Sequence, residues 1–188
     1  HDSGYNGAGV TICVMDAGVA DLTYEALSTM NIVAMYDFVT GSPIMGGHSH
    51  GTATLSLIGG FKEGELIGPA YGADFLLART EDAATETPIE EDNWIAAMEW
   101  ADSIGVDVTS TSLGYIDFDS PFTSYTWEDM DGNTAAITIA ADYAVSLGIT
   151  VVNSAGNEGS NSTHNTLGAP SDGDSVIAVG AVTSSGIR

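Results

Sequence analysis

Short apolar runs alternate along the chain with longer stretches in which apolar residues return at helical spacing. The runs span residues 10–15, 32–38, 75–80, 106–113, 149–153 and 176–182. Most are apolar at every position rather than at every second one, which is the pattern of strands buried on both faces of a parallel sheet. Between them, Trp94, Ala97, Met98 and Ala101 recur every three or four residues behind Glu90-Glu91-Asp92, so a helix is predicted to start at those acids and to stop at Gly105. A second helix is predicted over 135–147, entered from Asp131-Gly132-Asn133-Thr134 and closed by Gly148, and a third opens near His50 and runs to Leu57. Segments 81–88, 117–133 and 159–174 read as loops, and no repeat interrupts the alternation. The pattern predicts one α/β domain over residues 1–188, a three-layer arrangement with a mostly parallel β-sheet and helices on both faces.

Charge changes the picture of the surface. Three Lys plus Arg stand against 26 Asp plus Glu, a net charge of −23 that repels nucleic-acid phosphate and anionic lipid. No apolar stretch is long enough for a membrane span, and the first residues lack the basic and hydrophobic regions of a signal peptide. The single cysteine, Cys13, lies inside an apolar run and cannot form an internal disulfide.

Three polar groups follow apolar runs where an open α/β sheet gathers its reactive residues, beyond the carboxyl ends of the strands. Asp16 closes the first run and is followed by Ala17-Gly18, although an Asp capping a turn would look the same. Gly47-His48-Ser49-His50-Gly51-Thr52 places an imidazole at a glycine-bounded helix start, where it suits general-base chemistry; a loop histidine or a metal ligand is the alternative, the latter disfavoured by the lack of a third ligand. Asn153-Ser154-Ala155-Gly156-Asn157-Glu158-Gly159 carries a strand into a turn where the Asn157 amide can donate to a developing oxyanion.

Taken together, 34 and then 107 residues apart, Asp16, His50 and Asn157 resemble the Asp, His and oxyanion-Asn blocks of the subtilases. The likeness extends to Gly7-Ala8-Gly9-Val10, Gly68-Pro69-Ala70-Tyr71-Gly72-Ala73, Thr111-Ser112-Leu113-Gly114 and Ser175-Val176-Ile177-Ala178-Val179-Gly180. The resemblance implies a subtilisin-like serine endopeptidase, secreted or extracellular, in which Asp16 orients His50, His50 takes the proton of a serine and Asn157 stabilises the tetrahedral intermediate. It also implies that Ser112, Leu113, Gly114, Ser154, Ala155 and Gly156 flank a polypeptide substrate and that Gly168 walls its primary pocket, with no cofactor needed for catalysis. Ala17 replaces the family's usual Thr after the Asp, and Ala53 replaces its common His. The family's Gly-Thr-Ser block, which carries the nucleophile, is not among these residues. The domain is therefore expected to lack its C-terminal part, to be inactive alone, and to have the C-terminal fragment of the same protease as a partner. Arg188 at the end fits cleavage by a trypsin-like activity.

Other readings remain at this stage. A catalytically dead subtilase-fold binding domain would carry the same residues. Gly47-His48-Ser49-His50-Gly51 also satisfies the Gly-x-Ser-x-Gly elbow of esterases, which requires a buried strand directly before it. A dinucleotide-binding domain needs its glycines after the first strand, whereas Gly7 and Gly9 precede it. Asp129, Asp131 and Asn133 have the oxygen spacing of a calcium loop without its distal Glu, so a structural calcium ion and a helix entrance are both open. Glu158 near the primary pocket would favour a basic side chain. His1 and His164 are expected to be exposed, and Trp94 and Trp100 to pack a helix on the sheet.

Overall fold

The computed structural model describes residues 4–43, 46–164 and 166–186, so His1 and Arg188 lie outside the described residues. Eight strands and three α-helices form in chain order: β1 (Thr11–Asp16), β2 (Asn31–Asp37), α1 (Ser49–Gly59), β3 (Phe61–Lys62), β4 (Leu66–Ile67), β5 (Asp74–Arg79), α2 (Ile89–Ile104), β6 (Val108–Thr111), α3 (Ala136–Ser146), β7 (Thr150–Ser154) and β8 (Ile177–Val179). Six strands make one sheet in the order β2-β5-β1-β6-β7-β8, with every neighbouring pair parallel; β3 and β4 form a separate antiparallel hairpin that the apolar pattern did not reveal.

The strands sort their side chains between two cores because successive residues point to opposite faces. Ile12, Val14, Phe75 and Leu77 face α1, where Leu55 is fully buried. Cys13, Met15, Leu76 and Ala78 face α2 and α3, meeting Trp94, Ala97, Met98, Ala101, Ile137 and Ala141. Helices on both faces of a parallel sheet are the expected three-layer α/β architecture. Burial pushes the Cys13 thiol far above its ordinary range and leaves it a packing residue.

Helix boundaries follow the backbone chemistry. Glu90, Glu91 and Asp92 occupy the first turn of α2, and Gly105 ends it at φ 95, in the left-handed conformation that favours glycine. The predicted side-chain cap of α3 is not formed: Ala135 is the N-cap, and the Asp131 carboxylate instead accepts the N–H groups of Asn133 and Thr134 to make the preceding turn. The run at 176–182 also departs from expectation. Only Ile177–Val179 is strand, all three residues are exposed, and β8 pairs on one side alone among the described residues, so its apolar side chains have no layer against them.

Trp94 ties α2 to the sheet by a buried hydrogen bond, its indole Nε1–H donating to the Thr111 hydroxyl at 3.0 Å. Trp94→Phe keeps most of the apolar surface but removes that donor, so unfolding stability should fall by about 1–3 kcal/mol. The urea midpoint of the variant checks this.

Candidate active site

β1 lies in the interior of the sheet, between β5 and β6. The chain leaves β1 to build β2 and β5 on one side, then returns to build β6, β7 and β8 on the other. A crevice forms beyond the carboxyl ends of strands at such a reversal. Asp16 is the last residue of β1, its side chain 2% exposed at that point.

His50 reaches Asp16 because glycines let α1 press against the exit of β1. A Cβ at Gly51 would stand 2.0 Å from the Gly18 carbonyl oxygen, and one at Gly18 would stand 2.1 Å from that of Gly46. Gly18 and Gly47 are bridged directly, and the His48 N–H donates to the Ala17 carbonyl at 3.0 Å. His48 then caps the helix, its Nδ1 accepting the His50 N–H at 3.2 Å. That contact gives His48 a structural task, although it also lines the cleft.

The Asp16 carboxylate accepts three hydrogen bonds. One oxygen takes the Ala17 N–H at 2.7 Å and the His50 Nδ1–H at 2.8 Å; the other takes the Thr54 hydroxyl at 3.0 Å. With Nδ1 donating, Nε2 of His50 carries the lone pair, and the ring is half exposed to the cleft. The arrangement can accept a proton from a group in the cleft and stabilise the resulting cation. Thr54 was not singled out from the sequence, although its position one turn after His50 on the same helix face was the available signal. Thr54→Val removes one of the carboxylate's three donors, and unfolding stability should fall by about 1.5 kcal/mol, the worth of a hydrogen bond to a charged group. The urea midpoint of the variant reads the change.

A cleft of about 810 Å³ opens over this pair and is lined by Ser112, Leu113, Gly114, Ser154, Gly156, Asn157 and Gly168 as well as His50. Ala155 does not line it; its N–H donates to the Val179 carbonyl and holds β8. Asn157 follows β7 in the turn before a short 3-10 segment, Glu158–Ser160, and faces the same space as His50. The far wall is built by glycines in close approach: Gly168 lies against Gly114, and Gly156, at φ 94, against the Gly168 amide. Reciprocal hydrogen bonds between Tyr115 and Ala169 hold that wall. Asn153, also missed in the sequence, sits fully buried at the end of β7 and donates its amide to the Leu113 carbonyl at 2.9 Å; the Ser154 hydroxyl donates to the same oxygen at 3.2 Å.

Ser49 opens α1 after a loop rather than after a buried strand, which removes the esterase elbow. Among the described residues no serine hydroxyl is hydrogen-bonded to His50. Asp129 spends its carboxylate on the N–H and hydroxyl of Thr126, Asp131 on its turn, and no group of three or more His, Cys, Asp or Glu among the described residues is arranged to hold a metal ion. His164 is exposed and stacks on Trp127 at 4.7 Å. No helix among the described residues is long and apolar enough to cross a membrane.

Glu86 lines the cleft's acidic side, and Glu90 lies in the first turn of α2. Glu90 is buried and accepts the N–H groups of Asp82 and Thr87 at 3.3 Å. Loss of solvent, then the fields of Glu90, Glu81, Asp119 and Asp117, push Glu86 up to about 7; loss of solvent also lifts Glu90 to about 7, against the pull of its two N–H donors. Both folded values lie above the unfolded ones, so between about pH 4.5 and 7 the folded chain holds protons that the unfolded chain has released. Stability is therefore greatest at the acid end of that window and falls as pH rises through it. The melting temperature should drop from pH 5 to pH 7.5, and Glu86→Gln should flatten the slope.

An imidazole held by a buried carboxylate thus stands at the switch point of a parallel sheet, above a glycine-walled cleft. The Subtilase family model matches residues 7–187, and the chain belongs to that family of serine peptidases. It is 34% identical over 190 residues to Subtilisin E of Bacillus subtilis (strain 168), with all of this chain and 45% of that protein covered. In shape it is similar to a lanthipeptide protease, TM-score 0.71 at 24% identity, covering 97% of this chain and 51% of that one, and to MycP1 with its propeptide removed, TM-score 0.70 at 21% identity, covering 100% and 61%. The chain thus spans about half the length of the relatives it matches, and the two solved structures bear on the fold alone.

Proposed function

We propose that these residues are the acid, base and oxyanion part of a serine endopeptidase that hydrolyses peptide bonds by a Ser-His-Asp mechanism. The observation that carries this is the 2.8 Å hydrogen bond from His50 Nδ1 to buried Asp16 at the rim of the sheet. Asp16 fixes the tautomer that leaves Nε2 as the base, and stabilises the imidazolium formed when Nε2 takes the serine proton. Asn157 donates to the oxyanion as the carbonyl carbon becomes tetrahedral. Ser112, Leu113 and Gly114 flank the extended substrate on one side and Ser154 and Gly156 on the other, with Gly168 leaving room for a side chain.

In this reading the nucleophile comes from a segment beyond Arg188, and the 188 residues alone do not form an acyl-enzyme. The protein acts outside the cell on polypeptides, as the family resemblance implies. The test is cleavage of an internally quenched peptide by the full-length protein and by residues 1–188 separately. Cleavage by the first alone is expected. A folded full-length protein with no peptidase activity would favour the binding-domain reading instead.

A further inference from the structure

The cleft carries carboxylates that the peptidase mechanism does not use. Glu81 and Glu86 enter it from the loop after β5, Asp117 and Asp119 from the loop after β6, and Glu158 from the turn after β7. In the sheet β1 and β6 stand between β5 and β7, so these acids flank the His50 position from both sides. The first two loops are clamped face to face: the Glu86 N–H donates to the Asp119 carboxylate at 3.0 Å, and the Asp119 N–H donates to the Glu86 carbonyl at 2.8 Å.

Among the described residues no Lys or Arg lines this cleft. Lys62 is paired with Glu25 and Glu65 on the β3 hairpin, and the Arg79 guanidinium is taken by Asp37 at 3.2 Å and Asp82 at 3.7 Å. Arg188 lies outside the described residues. Glu90, Glu81, Asp119 and Asp117 all act on Glu86 as like charges. The buried Tyr115 hydroxyl, which has no hydrogen-bond partner, stands in the field of Glu81, Glu90, Glu86 and Glu91. Like charges held this close in partly buried loops are unfavourable until an opposite charge arrives.

We propose that the cleft selects polypeptides with basic side chains around the scissile bond, with Glu81, Glu86, Asp117 and Asp119 as specificity-determining residues on one side of His50 and Glu158 on the other. The inference rests on the peptidase reading of the same site. A Lys or Arg side chain supplies the counter-charge that the protein itself withholds, and an Arg fork can bridge the carboxylates of two loops. A surface that is acidic throughout, at −23, would attract any cation diffusely; clamped carboxylates converging on one cleft make the preference local.

The test compares two internally quenched peptides, identical except that arginines in one are replaced by citrulline, which keeps the shape and removes the charge. Full-length protein should cleave the arginine peptide with a kcat/KM at least about tenfold higher, equivalent to about 1.4 kcal/mol. The ratio should fall toward one in Glu81→Gln/Glu86→Gln protein and as pH drops below about 7, where Glu86 takes up its proton. It should stay at its native value in Glu63→Gln, which removes one carboxylate from the β3–β4 hairpin outside the cleft. Equal cleavage of both peptides, or a ratio that Glu63→Gln lowers as much as the cleft variants do, would overturn the inference and leave the peptidase reading standing. If neither peptide is cut, anisotropy with labelled peptides bearing a reduced scissile bond separates the two: tighter binding of the arginine form sinks only the peptidase reading, and equal binding sinks both.

Discussion

His50→Ala in the full-length protein is expected to lower kcat by about a million-fold, and Asp16→Ala by about ten thousand-fold, while KM changes little. The order follows from what each side chain touches. Among the described residues His50 is the only basic side chain that is hydrogen-bonded to Asp16 and also lines the cleft, so its loss removes the proposed base itself. Removing Asp16 leaves an imidazole that can still take a proton, but without the carboxylate that selects its tautomer and stabilises its cation. The double variant should be hardly worse than His50→Ala, because the two act as one unit. Steady-state kinetics, with melting curves to confirm folding, measure this. Comparable losses below about tenfold in both would mean that the pair does no chemistry.

Asn157→Ala is the second large effect, a fall of about 10²–10³ in kcat, or about 2.7–4 kcal/mol, again with little change in KM. In the proposed mechanism the amide meets charge that exists only after attack, so its contribution belongs to the transition state and not to substrate binding. Asn157 lines the cleft together with Gly114, Gly156 and Gly168, and the substitution creates no buried cavity because the residue is exposed. A rise in KM at constant kcat would reassign Asn157 to ordinary substrate contact.

Much of the architecture was legible because buried parallel strands are apolar at consecutive positions. The runs at 10–15 and 75–80 fall within a residue of β1 and β5, and the acids before Trp94 and the glycine at 105 bracket α2. The run at 176–182 misled for the same reason: apolar composition promises burial, but β8 has no covering layer among the described residues. Asp16, His50 and Asn157 drew notice because each lies at or just beyond a recognisable element end. Asn153 and the acids at 81, 86, 117 and 119 could not, since their roles depend on which strand lies beside which. Asn153 matters because β7 pairs with β6 and so lies beside Leu113; Glu86 matters because the loop after β6 turns back onto it. Sequence order does not report those neighbours.

Labelling of the full-length protein with a serine-directed phosphonate, followed by mass spectrometry of the adduct, goes most directly to the claim that Asp16 and His50 drive a serine nucleophile. One adduct per chain is expected, on a serine outside residues 1–188, and none in the His50→Ala variant. Folded native protein that takes up no phosphonate, or an adduct on Ser49, Ser112 or Ser154 that persists without His50, would contradict it.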